Sequence, residues 1–102
     1  MSGVRLRDVL TAPFVLRCES VERSDGSWVR MLSYPELGCS TAGVDMAAAM
    51  DQLELFRVRE LVHGVARGKL PPLRAPIPDA GVEDILTRAG FPHWVPRLDD
   101  EI

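Results

Sequence analysis

The sequence predicts an α+β chain in which a small antiparallel sheet of about three strands packs against one long α-helix, followed by a proline-rich arm and a short C-terminal helix. Three observations lead there. Apolar and polar residues alternate on both sides of Ser24-Asp25-Gly26-Ser27; a helix-forming, proline-free run extends from Val44 to about Arg67; and prolines crowd the run Pro71 to Pro78. The 102 residues leave no room for a second full-sized core, and 46% apolar with 26% charged residues is a globular composition. The expected division is residues 1–78 as a core with its proline-rich exit and residues 79–102 as a C-terminal helix with an acidic tail.

Taken in order, the first ten residues read two ways. Val4 and Leu6 alternate like a strand, while Leu6, Val9 and Leu10 fit one helical face. From Phe14 a half-buried strand is expected, with Phe14, Leu16 and Cys18 turned inward and Arg17 and Glu19 outward. Asp25-Gly26 tolerates the positive φ of a tight hairpin, so Trp28 to Tyr34 returns as the second strand. Pro35 lacks a ladder donor and ends it. Gly38 and Gly43 bracket a brief third strand, Cys39 to Ala42.

The long helix carries two apolar stripes. At 100° per residue, Met46, Ala49, Met50, Leu53 and Phe56 share one, which is expected on the sheet; Val58, Leu61, Val62 and Val65 share another, rotated by more than a third of a turn. One flat sheet cannot cover both. The second stripe is therefore expected at a partner or oligomer interface or beneath the C-terminal tail. Gly64 and Gly68 weaken the helix end and Pro71-Pro72 stops it. The proline-rich run should be extended. Asp79 is placed to cap a helix from Val82 to Ala89, and Pro92 and Pro96 interrupt the chain beyond Gly90. Phe91 and Trp94 are read as anchors, on this chain or on a partner, with order fading after Leu98 into the acidic tail.

Charge and composition narrow the function. A net charge of −3 argues against nucleic acid as a partner of the isolated chain, and the local basic residues Arg57, Arg59, Arg67, Lys69 and Arg74 read as a solvated helix face. No apolar stretch approaches the roughly 20 residues of a membrane span, and two cysteines without C-x-x-C spacing read as reduced thiols of a cytoplasmic protein. Cys18, Cys39, His63 and His93 lack metal-ligand spacing, and Glu19, Glu22, Asp25 and Glu36 do not form the strand-borne carboxylate set of a two-metal nuclease. No metal and no cofactor is expected, and the chain is not expected to be an enzyme; thiol chemistry at Cys39 with His63 carries the least weight.

The hairpin, then Tyr34-Pro35-Glu36-Leu37-Gly38-Cys39, then Gly43 and the long helix, resembles the HicB-like antitoxin family over about Phe14 to Pro78. The chain departs from the family pattern at two points: no second proline stands between Leu37 and Gly38, and Gly43-Val44-Asp45-Met46-Ala47-Ala48 replaces the usual helix opening. The resemblance implies a β-β-β-α core similar to a truncated RNase H-like fold, without nuclease activity, that dimerises and binds a small toxin such as a HicA-like ribonuclease. The competing expectation keeps the fold and drops the toxin: a homo-oligomeric adaptor or regulatory subunit.

Overall fold

A computed structural model of the chain describes residues 3–72, 74–77 and 81–102. Its elements in order are α1 (Leu6–Thr11), β1 (Arg17–Glu22), β2 (Trp28–Tyr34), a 3-10 turn (Pro35–Leu37), β3 (Cys39–Gly43), α2 (Met46–Ala66), α3 (Val82–Arg88) and a second 3-10 segment (Pro92–Arg97). The fold class is α+β, with a three-stranded antiparallel sheet in the order β1-β2-β3. Two compact units divide the chain: a sheet unit, Phe14–Arg57, and a helical unit built from Met1–Pro13 and Val58–Ile102. The division falls inside α2.

In the sheet unit, β1 and β2 are joined by a loop in which Gly26 takes φ 86°. Arg23 N donates to Ser27 O at 2.7 Å, Gly26 N donates to Arg23 O at 3.0 Å, and Asp25 Oδ1 accepts from Ser27 N and Oγ. This is a type I turn followed by a left-handed glycine, a hairpin form that suits the twist of its strands. Asp45 Oδ1 accepts from the backbone N–H of Ala47 and Ala48, so α2 opens at Met46, two residues later than its composition suggests. The first half of α2 lies on the sheet: Ala49 and Leu53 pack with Leu32 and Tyr34, and Phe14, Leu37, Cys39 and Met50 close around them. Thr41 Oγ1 donates to Ala49 O at 2.8 Å, which ties β3 to the helix.

Two expectations for this unit are corrected. Leu16 and Cys18 are not buried: Cys18 stands opposite the core residue Leu32 but is exposed, as is Leu16, and the strand begins at Arg17. The core is built on β2 and β3, so the outer strand β1 keeps its side chains in water apart from the half-buried Val21. Met46 also leaves the expected stripe and stands exposed at the first turn of α2.

In the helical unit the ambiguity of the first ten residues resolves to α1, which buries Leu6, Val9 and Leu10. Val82, Leu86, Ala89 and Leu98 are buried as well. α3 opens at Val82 with Gly81 in the capping position, and the expected cap, Asp79, lies outside the described residues. Pro92 and Pro96 sit within a 3-10 segment, and no α-helix follows α3 among the described residues.

The acidic tail is held, not frayed. Arg7 N donates to Leu98 O at 2.7 Å, Leu6 N to Asp100 O at 3.2 Å, and Ile102 N to Val4 O at 2.8 Å. Arg5 forms a bridge with Glu101, and the Arg7 guanidinium donates to Asp99 at 3.0 Å and Glu83 at 3.1 Å. Arg7 holds the Asp99 carboxyl below the usual carboxylate range, chiefly through that hydrogen bond. The proline-rich run has no regular structure in its described residues; Arg74 donates to Pro13 O and Ile77 N to Thr11 O.

Candidate protein-binding surface

The turn from Tyr34 to Cys39 is built by residue type. Pro35 opens the 3-10 turn, and Gly38 closes it in the left-handed region at φ 68°, donating its N–H to Pro35 O. Glu36 Oε1 accepts from Val15 N at 2.9 Å, so the turn also fixes the chain just before β1. A Cβ on Gly38 would meet nothing within 4 Å, so only the backbone resists substitution there. Gly38→Ala is expected to cost about 1–2 kcal/mol, and Gly38→Asn less, in urea unfolding followed by circular dichroism.

Behind the turn, Tyr34 is buried and its hydroxyl donates to Glu54 Oε1. Glu54 Oε2 in turn accepts from Arg57 Nε at 2.9 Å. Burial first, and then the bond to the Glu54 carboxylate, push the Tyr34 phenol well above its ordinary range. Arg57, only 7% exposed, is therefore part of the interior and not of a solvated basic face. Arg59 is likewise engaged, donating to Ala89 O at 3.3 Å within the helical unit.

On the outside of the sheet unit lies a different surface. Trp28 is 60% exposed and Val44 80%, and they line one shallow groove with Ser20, Val29 and Arg30. Arg30 Nη1 donates to Ser20 Oγ at 2.6 Å, which steadies the polar rim beside the tryptophan. A second shallow groove runs from Val44 past Thr41 and Asp45 to Ala48 and Gln52. Val44 thus stands between two grooves. An exposed tryptophan beside an aliphatic side chain and an arginine is the composition of an interface anchor. The sequence places Trp28 only in a strand, and the alternation there carries no signal of its exposure.

The second stripe and the tail aromatics, expected at an interface or packed on the chain itself, are buried or half-buried within the chain. Val58, Leu61 and Val62 are 0%, 2% and 1% exposed within this chain, so their stripe is spent on the chain's own packing and offers no open surface. Phe91 packs edge-on against His63 at 5.9 Å, and Val65 and Trp94 line one small cavity with Leu6 and Arg97. Val65, Phe91 and Trp94 are half-buried, and the Arg97 guanidinium stacks 4.5 Å over the Trp94 ring. The turn residues Tyr34, Pro35, Glu36, Leu37, Gly38, Cys39 and Gly43 all fall in the sheet unit. Cys39 begins β3 half-buried, while His63 is an exposed residue of the helical unit.

Among the described residues no three His, Cys, Asp or Glu side chains gather as a metal-holding group, and no helix is long and apolar enough to cross a membrane. Comparison with protein-family models, with curated proteins and with solved structures returns no match to this chain.

Proposed function

We propose that the chain is a protein-binding module of the HicB-like antitoxin type, a cytoplasmic protein that dimerises and neutralises a small basic partner such as a HicA-like ribonuclease toxin. The observation that carries this reading is the exposed pair Trp28 and Val44 over one groove. Such apolar surface costs solubility and is retained where a partner covers it. The β-β-β-α order around the Tyr34 to Gly43 turn is the order the resemblance implies, and a net charge of −3 complements a partner that must itself be basic to bind RNA.

The test is co-purification from the native host, identification of the companion by mass spectrometry, and an RNA-cleavage assay with the companion. The expected result is a short basic protein whose cleavage of RNA stops when the chain is added. Trp28→Ala should weaken that binding about tenfold or more, an effect of hot-spot size. A companion without RNA-cleaving activity, or binding that Trp28→Ala leaves unchanged, overturns the reading.

A further inference from the structure

We propose that two copies of the chain pair through β1, antiparallel about a two-fold axis at Cys18, to make one continuous six-stranded sheet. This deepens the dimerisation in the proposed function and does not depend on the toxin-like partner, so the two readings fail separately.

β1 is an edge of the sheet, and all its residues are exposed except the half-buried Val21. Its unspent backbone groups can be assigned. Arg23 N donates to Ser27 O, which makes Arg23 and Ser27 a hydrogen-bonded pair. With Glu22 opposite Trp28, the alternation of an antiparallel ladder then gives the bonded pairs Val21 with Val29, Glu19 with Met31 and Arg17 with Ser33. Cys18 and Ser20 consequently turn their N–H and C=O outward. An open row of this kind invites another strand unless something prevents it.

Side-chain charge selects the strand and the register. In a two-fold antiparallel pair, residues directly opposite share a face, so their numbers differ by an even amount. An axis at Glu19 sets Glu19 against its own copy, an axis at Ser20 sets Arg17 against Arg23, and an axis at Arg17 sets that guanidinium against itself. Each places like charges together. An axis at Val21 opposes Glu19 and Arg23, but Arg23 opens the hairpin turn, so that register runs out of extended chain. An axis at Cys18 sets Arg17 opposite Glu19 twice and Val15 opposite Val21 twice. Arg17 and Glu19 already lie 3.7 Å apart within one strand, so the pairing produces a closed group of four alternating charges. The half-buried Val21 then lies between Val29 of its own sheet and Val15 of the second copy, and Val15, 58% exposed in the single chain, is covered. The outward groups of Cys18 meet their own copies in a bonded pair. The other edge, Cys39–Gly43, has no charge to complement Arg17 and Glu19, and pairing β1 with it would give an open chain of copies, not a closed dimer.

Sedimentation over a concentration series, with charge-swapped variants of the full chain, tests this. The unaltered chain is expected to dimerise. Arg17→Glu, and separately Glu19→Arg, should each raise the dimer dissociation constant about tenfold or more, and the double variant should return it to within about threefold, because it restores every opposite pair in reverse. Circular dichroism checks that these exposed substitutions leave the fold intact. A short bis-maleimide should join two unaltered chains and fail with Cys18→Ser, although Cys39 is still present. A chain that stays monomeric at every concentration overturns the proposal. So does a dimer that ignores the single swaps, one that the double swap does not restore, or one not joined through Cys18.

Discussion

Leu53→Ala is expected to lower the unfolding free energy by about 2–5 kcal/mol, the largest effect of a single apolar truncation in the sheet unit. Leu53 is fully buried and packs with Leu32, Tyr34 and Ala49, where α2 meets the sheet. Truncation removes its transfer free energy and leaves a space that the surrounding side chains fill only in part. Against a total of roughly 5–15 kcal/mol for a domain, that is a large share. Met46, 44% exposed and expected on the same stripe, supplies the comparison: Met46→Ala should stay within about 0.5 kcal/mol of the unaltered chain. Urea midpoints measured by circular dichroism separate the two. Equal midpoints would mean that α2 does not lie on the sheet through Leu53.

The second large effect is expected at Glu54. Removing one partner of a buried ion pair costs about 3–5 kcal/mol, but the Glu54 side chain keeps 26% of its exposure while that of Arg57 keeps 8%, so water partly replaces what is lost. Glu54→Ala should therefore cost about 2–3 kcal/mol, and Glu54→Gln less, since an amide oxygen still accepts from Tyr34. Tyr34 is the chain's single tyrosine, so the near-ultraviolet absorbance of tyrosinate reports on it alone. Its titration should lie well above the ordinary value of about 10. The raised value stabilises the fold with the phenol protonated; that contribution is complete below about pH 10 and is lost as pH rises through the folded-state value. In Glu54→Gln the midpoint should fall, yet stay above the ordinary value, because burial is the larger cause. A midpoint at the ordinary value in the unaltered chain would show that Tyr34 is not buried beside Glu54.

The sheet and its helix were legible because they are written in short-range terms. Asp25-Gly26 specifies a turn, Pro35 ends a strand, and Ala49 with Leu53 repeats at helical spacing, so the architecture follows from neighbours along the chain. What escaped is set by contacts distant in sequence. Nothing near Cys18 indicates that α2 would cover β2 and β3 and leave β1 in water. The stripe at Val58, Leu61 and Val62 was legible as a second apolar face, and all three are buried within the chain itself. The acidic tail looked like a fraying end because its partners, Arg5 and Arg7, stand at the opposite end of the sequence. Trp28 was legible as a strand residue and not as surface, since alternation gives the face of a side chain and not whether anything lies on it.

The bond between Arg7 and Asp99 spans 92 positions, and this bears on how the chain assembles as it is made. Every residue of the sheet unit has been synthesised once Arg57 is added, so its hairpin, turn and first helical half can find their partners while the rest is still being translated. The helical unit has no such option. Leu6, Val9 and Leu10 are made before the rest of that unit, and the strand-like pairing of Arg5 with Glu101 and of Arg7 with Leu98 waits until Leu98 and Glu101 have been added. Until α3 has been added, the apolar face of α1, Leu6, Val9 and Leu10, lacks the helix it packs against in the folded unit, so α1 completes its packing later than any element of the sheet unit can.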